Sequence, residues 1–203
     1  MAPPSINTLP QEVPIAEDLL PADVQAYTKG VLLAADPETQ RALDTALDRA
    51  RRFAGWHISP VKSEVFNVRG GGWSYIVLPT LKIASITSIT EDGETVDLAD
   101  VEQYSGEPGV IYKKCGVWCG RIVVTVQHGF TAAEAAGFRG AVLALIDRAA
   151  QAVGTGGSGT LSEHTVDDVT LRWNGLTDRM IGSIAKEPLD ESVLYQYRLL
   201  PFA

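Results

Sequence analysis

The chain is short of the residues that would tie it to an oxidising compartment, a metal or a membrane. Its 203 residues hold two cysteines, Cys115 and Cys119, too few for a disulfide framework. Three residues separate them, one more than in redox and zinc-knuckle pairs. His128 is a conceivable third ligand and no fourth accompanies it. Ordinary thiols at a hairpin end are expected, with no metal and no cofactor. Long apolar runs are missing too: the longest, such as Ile122 to Val126, fall far below the ~20 residues of a spanning helix. The opening Met1-Ala2-Pro3-Pro4-Ser5 has neither the basic start nor the apolar stretch of an export signal. A cytosolic setting without a membrane partner is the expectation.

Positive charge is also scarce. Lys and Arg number 17 against 25 Asp and Glu, a net charge of −8 with a pI near 4.9. The deficit is −3 over residues 1–30, zero over 31–58, −2 over 59–130 and −3 over 131–203. No block is basic enough to grip a phosphate backbone. That excludes a domain whose main work is holding nucleic acid, and leaves room for one past which nucleic acid slides.

Catalytic signatures are absent as well. The three histidines, His57, His128 and His164, fall in separate segments; no serine sits in a nucleophile elbow and no His-Glu-x-x-His occurs. Gly70-Gly71-Gly72 is followed by Trp73 and a strand, and Gly154 to Gly159 follows a helix and lacks a lysine. Neither run has the form of a phosphate loop. Glu163-His164 and Asp167-Asp168 suit a solvated or intersubunit face better than a catalytic carboxylate pair. No enzyme is expected.

What the sequence does have is an order of elements. Pro3, Pro4, Pro10 and Pro14 keep the lead-in out of any regular ladder. A short helix is expected over 21–28, with Pro21 in its first turn and Gly30 closing it. A second runs over 37–55: Asp36 caps it, Pro37 and Glu38 open it and Gly55 ends it. Its apolar stripe is Leu43, Leu47, Ala50 and Ala54, with Phe53 adjoining. From Glu64 to His128 the period shortens to that of strands, with Asp92-Gly93 as a type I′ hairpin signal between Lys82–Thr90 and Glu94–Leu98. Further strands are expected over Trp73–Leu78, Val110–Lys114 and Arg121–Gln127. Helix returns at Thr131, whose spacing to Glu134 fits a capping box, and stops at Gly154. The flexible linker Gly154 to Gly159 leads to a strand over Val166–Trp173 and to short helices over Thr177–Ala185 and Leu189–Tyr197. Trp56, just past Gly55, is expected to lid the core where helix meets sheet.

The expected fold class is therefore α+β: a small helical core of two main helices plus short ones, with an antiparallel sheet of hairpins inserted between the main helices, and extended arms at both ends. The division is an arm at 1–20, a domain at 21–153 carrying helices 21–28, 37–55 and 131–153 with its β insertion at 63–128, and a linker and arm at 154–203. A chain this long buries roughly 70% of its unfolded surface and folds without disulfide or metal.

This succession resembles the head–tail connector (adaptor) proteins of tailed bacteriophages, of the actinophage type. The resemblance runs from about Asp23 to Arg198. Its main pieces are Ala46 to Trp56, Val77-Leu78-Pro79-Thr80 before the Ile-rich strand, and Val124-Thr125-Val126-Gln127-His128-Gly129-Phe130 ahead of the second long helix. It implies a structural virion protein forming a ring, usually twelve-fold, beneath the portal in the neck, after assembly in the host cytoplasm. Its partners would be copies of itself, the portal protein and a downstream stopper or tail protein, with DNA passing through the lumen unbound. The family core is helical, and this chain departs from it by its large sheet.

The resemblance also assigns expected roles. The apolar C-terminal end, Tyr195, Tyr197, Arg198, Leu199, Leu200 and Phe202, is expected to dock on the portal, and deleting Tyr195 to Ala203 to leave the domain folded. Arg41, Asp44, Asp48, Arg51 and Arg52 form a two-signed helix face suited to setting register between subunits. An acidic lumen repels DNA, which makes Glu91, Asp92, Glu94 and Asp97, or Asp167 and Asp168, candidates for the channel or its rim. The alternative is a soluble, non-viral protein-interaction module with a β recognition domain.

Overall fold

The computed structural model describes residues 18–104, 106–155, 184 and 187–199, and within them the fold is α+β. Helix α1 spans Pro21–Tyr27 and α2 spans Pro37–Ala54. Both begin on proline, whose missing N–H is an orphan at that position in any case. Asp36 caps α2 by accepting from the Glu38 N–H at 3.0 Å. Gly55, in the left-handed region at φ 82°, closes it by donating its N–H to the Arg51 carbonyl at 2.8 Å.

Helix α3, Ala136–Thr155, starts five residues later than Thr131. The capping box is made: Thr131 donates its N–H to Glu134 at 2.9 Å, and the Glu134 N–H reaches the Thr131 hydroxyl at 3.3 Å. It closes an irregular turn leading into the helix, and the Glu134 carboxylate also accepts from Lys82 at 3.1 Å. Ala42, Leu43, Ala46, Leu47, Ala50 and Ala54 of α2 meet Phe138, Val142, Leu145, Ile146 and Ala149 of α3 in one buried cluster. Helix α4, Glu191–Leu194, and a 3₁₀ turn at Tyr195–Tyr197 close over it. They replace the single helix expected over Leu189–Tyr197.

The β insertion forms two antiparallel sheets. The larger has the order β1-β7-β3-β4, from β1 (Lys62–Arg69), β7 (Arg121–His128), β3 (Ile83–Glu91) and β4 (Glu94–Thr95). The smaller has the order β2-β6-β5, from β2 (Tyr75–Val77), β6 (Val110–Lys113) and β5 (Val101–Glu102). Strand β7 is central. It pairs β1 from Lys62↔His128 to Arg69↔Arg121 and β3 from Ile83↔His128 to Glu91↔Ile122. Two register shifts in β3, at Ile83/Ser85 and Ile86/Ser88, mark bulges that bend the strand.

The hairpin at Asp92-Gly93 has positive φ at both positions, 49° and 92°, as a type I′ turn requires. Strand β4 is shorter than expected because Asp97 accepts from the Ala99 N–H at 2.9 Å and caps a 3₁₀ turn at Leu98–Asp100. The sheets enclose a second core of Ile76, Leu78, Ile89, Ile111, Trp118, Ile122, Val124 and Val126. The fold is thus two apolar cores joined where α2 runs into β1.

Candidate functional site

The outer face of α2 is a continuous two-signed stripe. Gln40, Arg41, Asp44, Asp48 and Arg52 are exposed, and their three- and four-residue spacing places them on one side of the helix. Arg41 pairs with Glu38 at 3.1 Å, Arg52 with Asp48 at 2.8 Å, and Gln40 donates to Asp44 at 2.8 Å. Exposed pairs of this kind are worth at most a few tenths of a kcal/mol, about 0.3–0.5. They can exchange partners cheaply when another surface arrives. Arg51, three residues after Asp48 on the same side, is less exposed and already engaged: it pairs with Asp18 at 3.2 Å and donates to the Ser59 carbonyl at 2.7 Å. Arg49, on another side of the helix, donates to the Ile184 carbonyl.

At the junction of the cores, Trp56 is buried with its ring centroid 5.7 Å from Phe130 and 6.3 Å from His128. His128, at the end of β7, is buried between Thr80 and Glu64: Nδ1 lies 3.1 Å from the Thr80 hydroxyl and Nε2 2.9 Å from Glu64. Burial outweighs the Glu64 carboxylate and holds the imidazole below its ordinary pKa. The contact is therefore a neutral Nε2–H donating to a carboxylate, not an ion pair. Burial opposes ionisation of Glu64 in turn, but Lys62 at 2.7 Å and His128 keep its carboxyl below the ordinary value. This cluster holds helix to sheet and has no nucleophile. Among the described residues no group of three or more His, Cys, Asp or Glu is placed to hold a metal. None of their helices is long and apolar enough to cross a membrane. Cys115 and Cys119 are free and exposed.

The acidic hairpin is only partly free. Glu91 bonds Lys113 at 2.6 Å and accepts from the Cys119 N–H at 2.7 Å. Burial works against its charge, but those two donors hold the carboxyl below its ordinary value. Asp92 accepts from the Arg121 N–H at 2.7 Å, and Asp97 is the cap already described. Glu94 is exposed. Asp167, Asp168 and His164 lie outside the described residues.

The C-terminal end is anchored to this chain's own helices as far as Leu199. Tyr197 is buried, its ring 5.6 Å from Phe130 and 6.2 Å from Phe138. Its carbonyl accepts from Trp56 Nε1 at 2.6 Å, and Leu199 donates its N–H to the Ala54 carbonyl at 2.8 Å. Deletion from Tyr195 onward would therefore remove part of the core, contrary to expectation. Tyr195 is 54% exposed, and its ring and that of Phe53 flank the Arg198 guanidinium at 5.6 and 5.4 Å. Leu200 and Phe202 lie outside the described residues.

One surface escaped the sequence reading. Trp73, Tyr75, Tyr112 and Tyr104 form a row across the outside of the small sheet. They come from segments far apart in the chain, and only the pairing Tyr75↔Tyr112 brings them together.

No protein-family model and no curated protein matches the chain. Solved structures do. A chain of the neck of the empty GTA particle, computed with C6 symmetry, is 13% identical with a TM-score of 0.56, covering 91% of this chain and 91% of that one. A chain of the neck of the native GTA particle, computed with C12 symmetry, is 14% identical with a TM-score of 0.54, covering 93% of this chain and 96% of that one. The likeness is one of fold, and it spans both chains nearly end to end.

Proposed function

We propose that this chain is a structural protein of a phage-type neck. Its copies form a ring beneath the portal, join capsid to tail and extend the channel through which DNA leaves. The observation that carries the reading is the fold shared over more than nine tenths of each chain with chains from the neck of the GTA (gene transfer agent) particle. A rotationally symmetric ring needs a heterologous, head-to-tail contact between copies. The stripe Arg41, Asp44, Asp48 and Arg52 supplies exposed groups of both signs for that contact. Arg51, on the same face, is held by Asp18.

DNA would pass without binding, in keeping with the net charge of −8. Glu94, Asp92 and Asp97 at the hairpin are the described carboxylates offered for the lumen or its rim, with Asp167 and Asp168 beyond them. Glu91 would help to hold that hairpin in shape. Portal docking belongs to Tyr195, Arg198 and the residues after Leu199, with Tyr197 fixing their point of departure. On the other side a stopper or tail protein would attach.

The test is electron microscopy of the purified chain, alone and mixed with a portal protein from the same genome. Closed rings seated on portals are the expected result. Monomers under both conditions, and virions without such a ring, would overturn the reading.

A further inference from the structure

Neither core uses the aromatic row of the small sheet, and the neck reading gives it no role. Tyr75 and Tyr112 are cross-strand partners with ring centroids 5.8 Å apart. Trp73 continues the row 6.3 Å from Tyr75, and Tyr104 continues it 5.1 Å from Tyr112. The same strands bury Ile76 and Ile111 on the opposite face, so the alternation of a strand turns the rings outward. Trp73 is 64% exposed, Tyr104 54% and Tyr75 41%. A contiguous aromatic surface of this kind marks a place of contact.

Successive rings are tilted to one another by 36°, 45° and 65°. The row is therefore ridged rather than a flat platform for stacked bases or sugars. Ridges of tyrosine and tryptophan suit a polyproline II strand, whose proline rings lodge between them at little ordering cost. The rim charges are mixed: Glu102 accepts from the Tyr104 hydroxyl at 2.7 Å and faces Lys114 at 3.6 Å, with Glu107 beside Tyr112. Carboxylates there disfavour a nucleic acid strand.

The chain itself contains a matching segment. Residues 1–17 include Pro3, Pro4, Pro10 and Pro14, with Ile6 and Leu9 between them, and the first eleven carry no charged side chain. That uncharged stretch, which holds three of the four prolines, meets the mixed rim without creating a like-charge pair, and Glu12 and Glu17 follow it towards the body of the chain. Its reach is ample: at ~3.1 Å per residue, 17 residues span about 53 Å. The eight residues of β1, which lead from the helical core to the end of the sheet near Trp73, span only about 26 Å.

We propose that the aromatic face of β2-β6-β5 is the docking site for the proline-rich segment 1–17 of this chain, bound as a polyproline II strand across Trp73, Tyr75, Tyr112 and Tyr104. The inference goes beyond the neck reading and does not depend on it.

The test uses the full-length chain carrying p-benzoylphenylalanine, as Tyr75→p-benzoylphenylalanine or, outside the strands, Tyr104→p-benzoylphenylalanine. After irradiation, cross-linked peptides are sequenced by mass spectrometry. Cross-links should fall chiefly within residues 1–17, and their yield should drop roughly fivefold when Pro3, Pro4, Pro10 and Pro14 are all replaced by serine. Mixing isotopically labelled and unlabelled chains shows whether the segment comes from the same copy or a neighbour; either supports the assignment. Cross-links confined to other residues, to a different protein or to a glycan, or a yield indifferent to the proline replacements, would overturn it.

Discussion

His57 and His128 face each other across the junction with ring centroids 5.8 Å apart, and both are held neutral. For His57, burial is the main cause and brings the pKa down to about 4, against the opposing pull of the Pro60 carbonyl to which Nε2 donates. An unfolded histidine near 6.5 takes up a proton that the folded one refuses. Stability is thus complete above about 6.5 and is lost as pH falls towards 4. With its partial exposure discounted, the His57 share should be roughly 1–2 kcal/mol. The urea midpoint should fall over this interval, and less steeply in His57→Asn, which keeps a donor for Pro60. Glu64, Glu91 and Glu134, all held low by their donors, act in a separate window: their contribution is present above about 4.5 and disappears below it.

Gly109 is a second residue-scale constraint. It sits at φ +74°, and a Cβ there would run into the Thr80 carbonyl and come within 2.7 Å of the Leu78 carbonyl oxygen. Gly109→Ala should destabilise by about 2–4 kcal/mol, read from urea unfolding. Neither constraint was legible in the sequence. Gly109 is one of 19 glycines in the sequence with nothing local to single it out, and His57 and His128 are far apart in the chain until β7 returns alongside β1.

At the scale of elements, the core and its caps separate by magnitude. Leu145, fully buried between α2 and α3, should cost about 2–5 kcal/mol as Leu145→Ala. Asp36→Ala removes one cap and should cost about 1 kcal/mol. A calorimetric series in which the cap outweighed the core would contradict the packing described. Helix α2 and the β3–β4 hairpin were readable from sequence because local chemistry fixes them: Asp36-Pro37 at one end and Gly55 at the other, and Asp92-Gly93 with both φ positive. The start of α3 and the end of β4 were not. At each a short-range carboxylate contact makes a turn where the sequence pattern continued the element: Glu134 with Thr131 ahead of α3, and Asp97 with the Ala99 N–H after β4. The aromatic row was hidden because its four rings come from the start of β2 and the residues just before it, from β6 and from the segment after β5.

For the whole molecule, the neck reading makes the α2 stripe the place to interfere with assembly. Arg41→Glu combined with Arg52→Glu should leave unfolding unchanged to within about 0.5 kcal/mol, because the replaced pairs are exposed. The same variant should lower the ring fraction in sedimentation, and the native ring should loosen as salt rises. Rings unaffected by the double reversal would remove the stripe from the interface.

The stapling of Leu199 to Ala54, with Tyr197 wedged beneath Trp56, also has a mechanical meaning. Residue 199 leaves the body beside the C-terminal end of α2, held by two hydrogen bonds and a buried ring. Tension on the chain beyond that point would not peel the strap from its tip. It would load those bonds together and pass into α2 along its axis, the direction in which a helix is stiffest, and from its other end into the turn at Asp36.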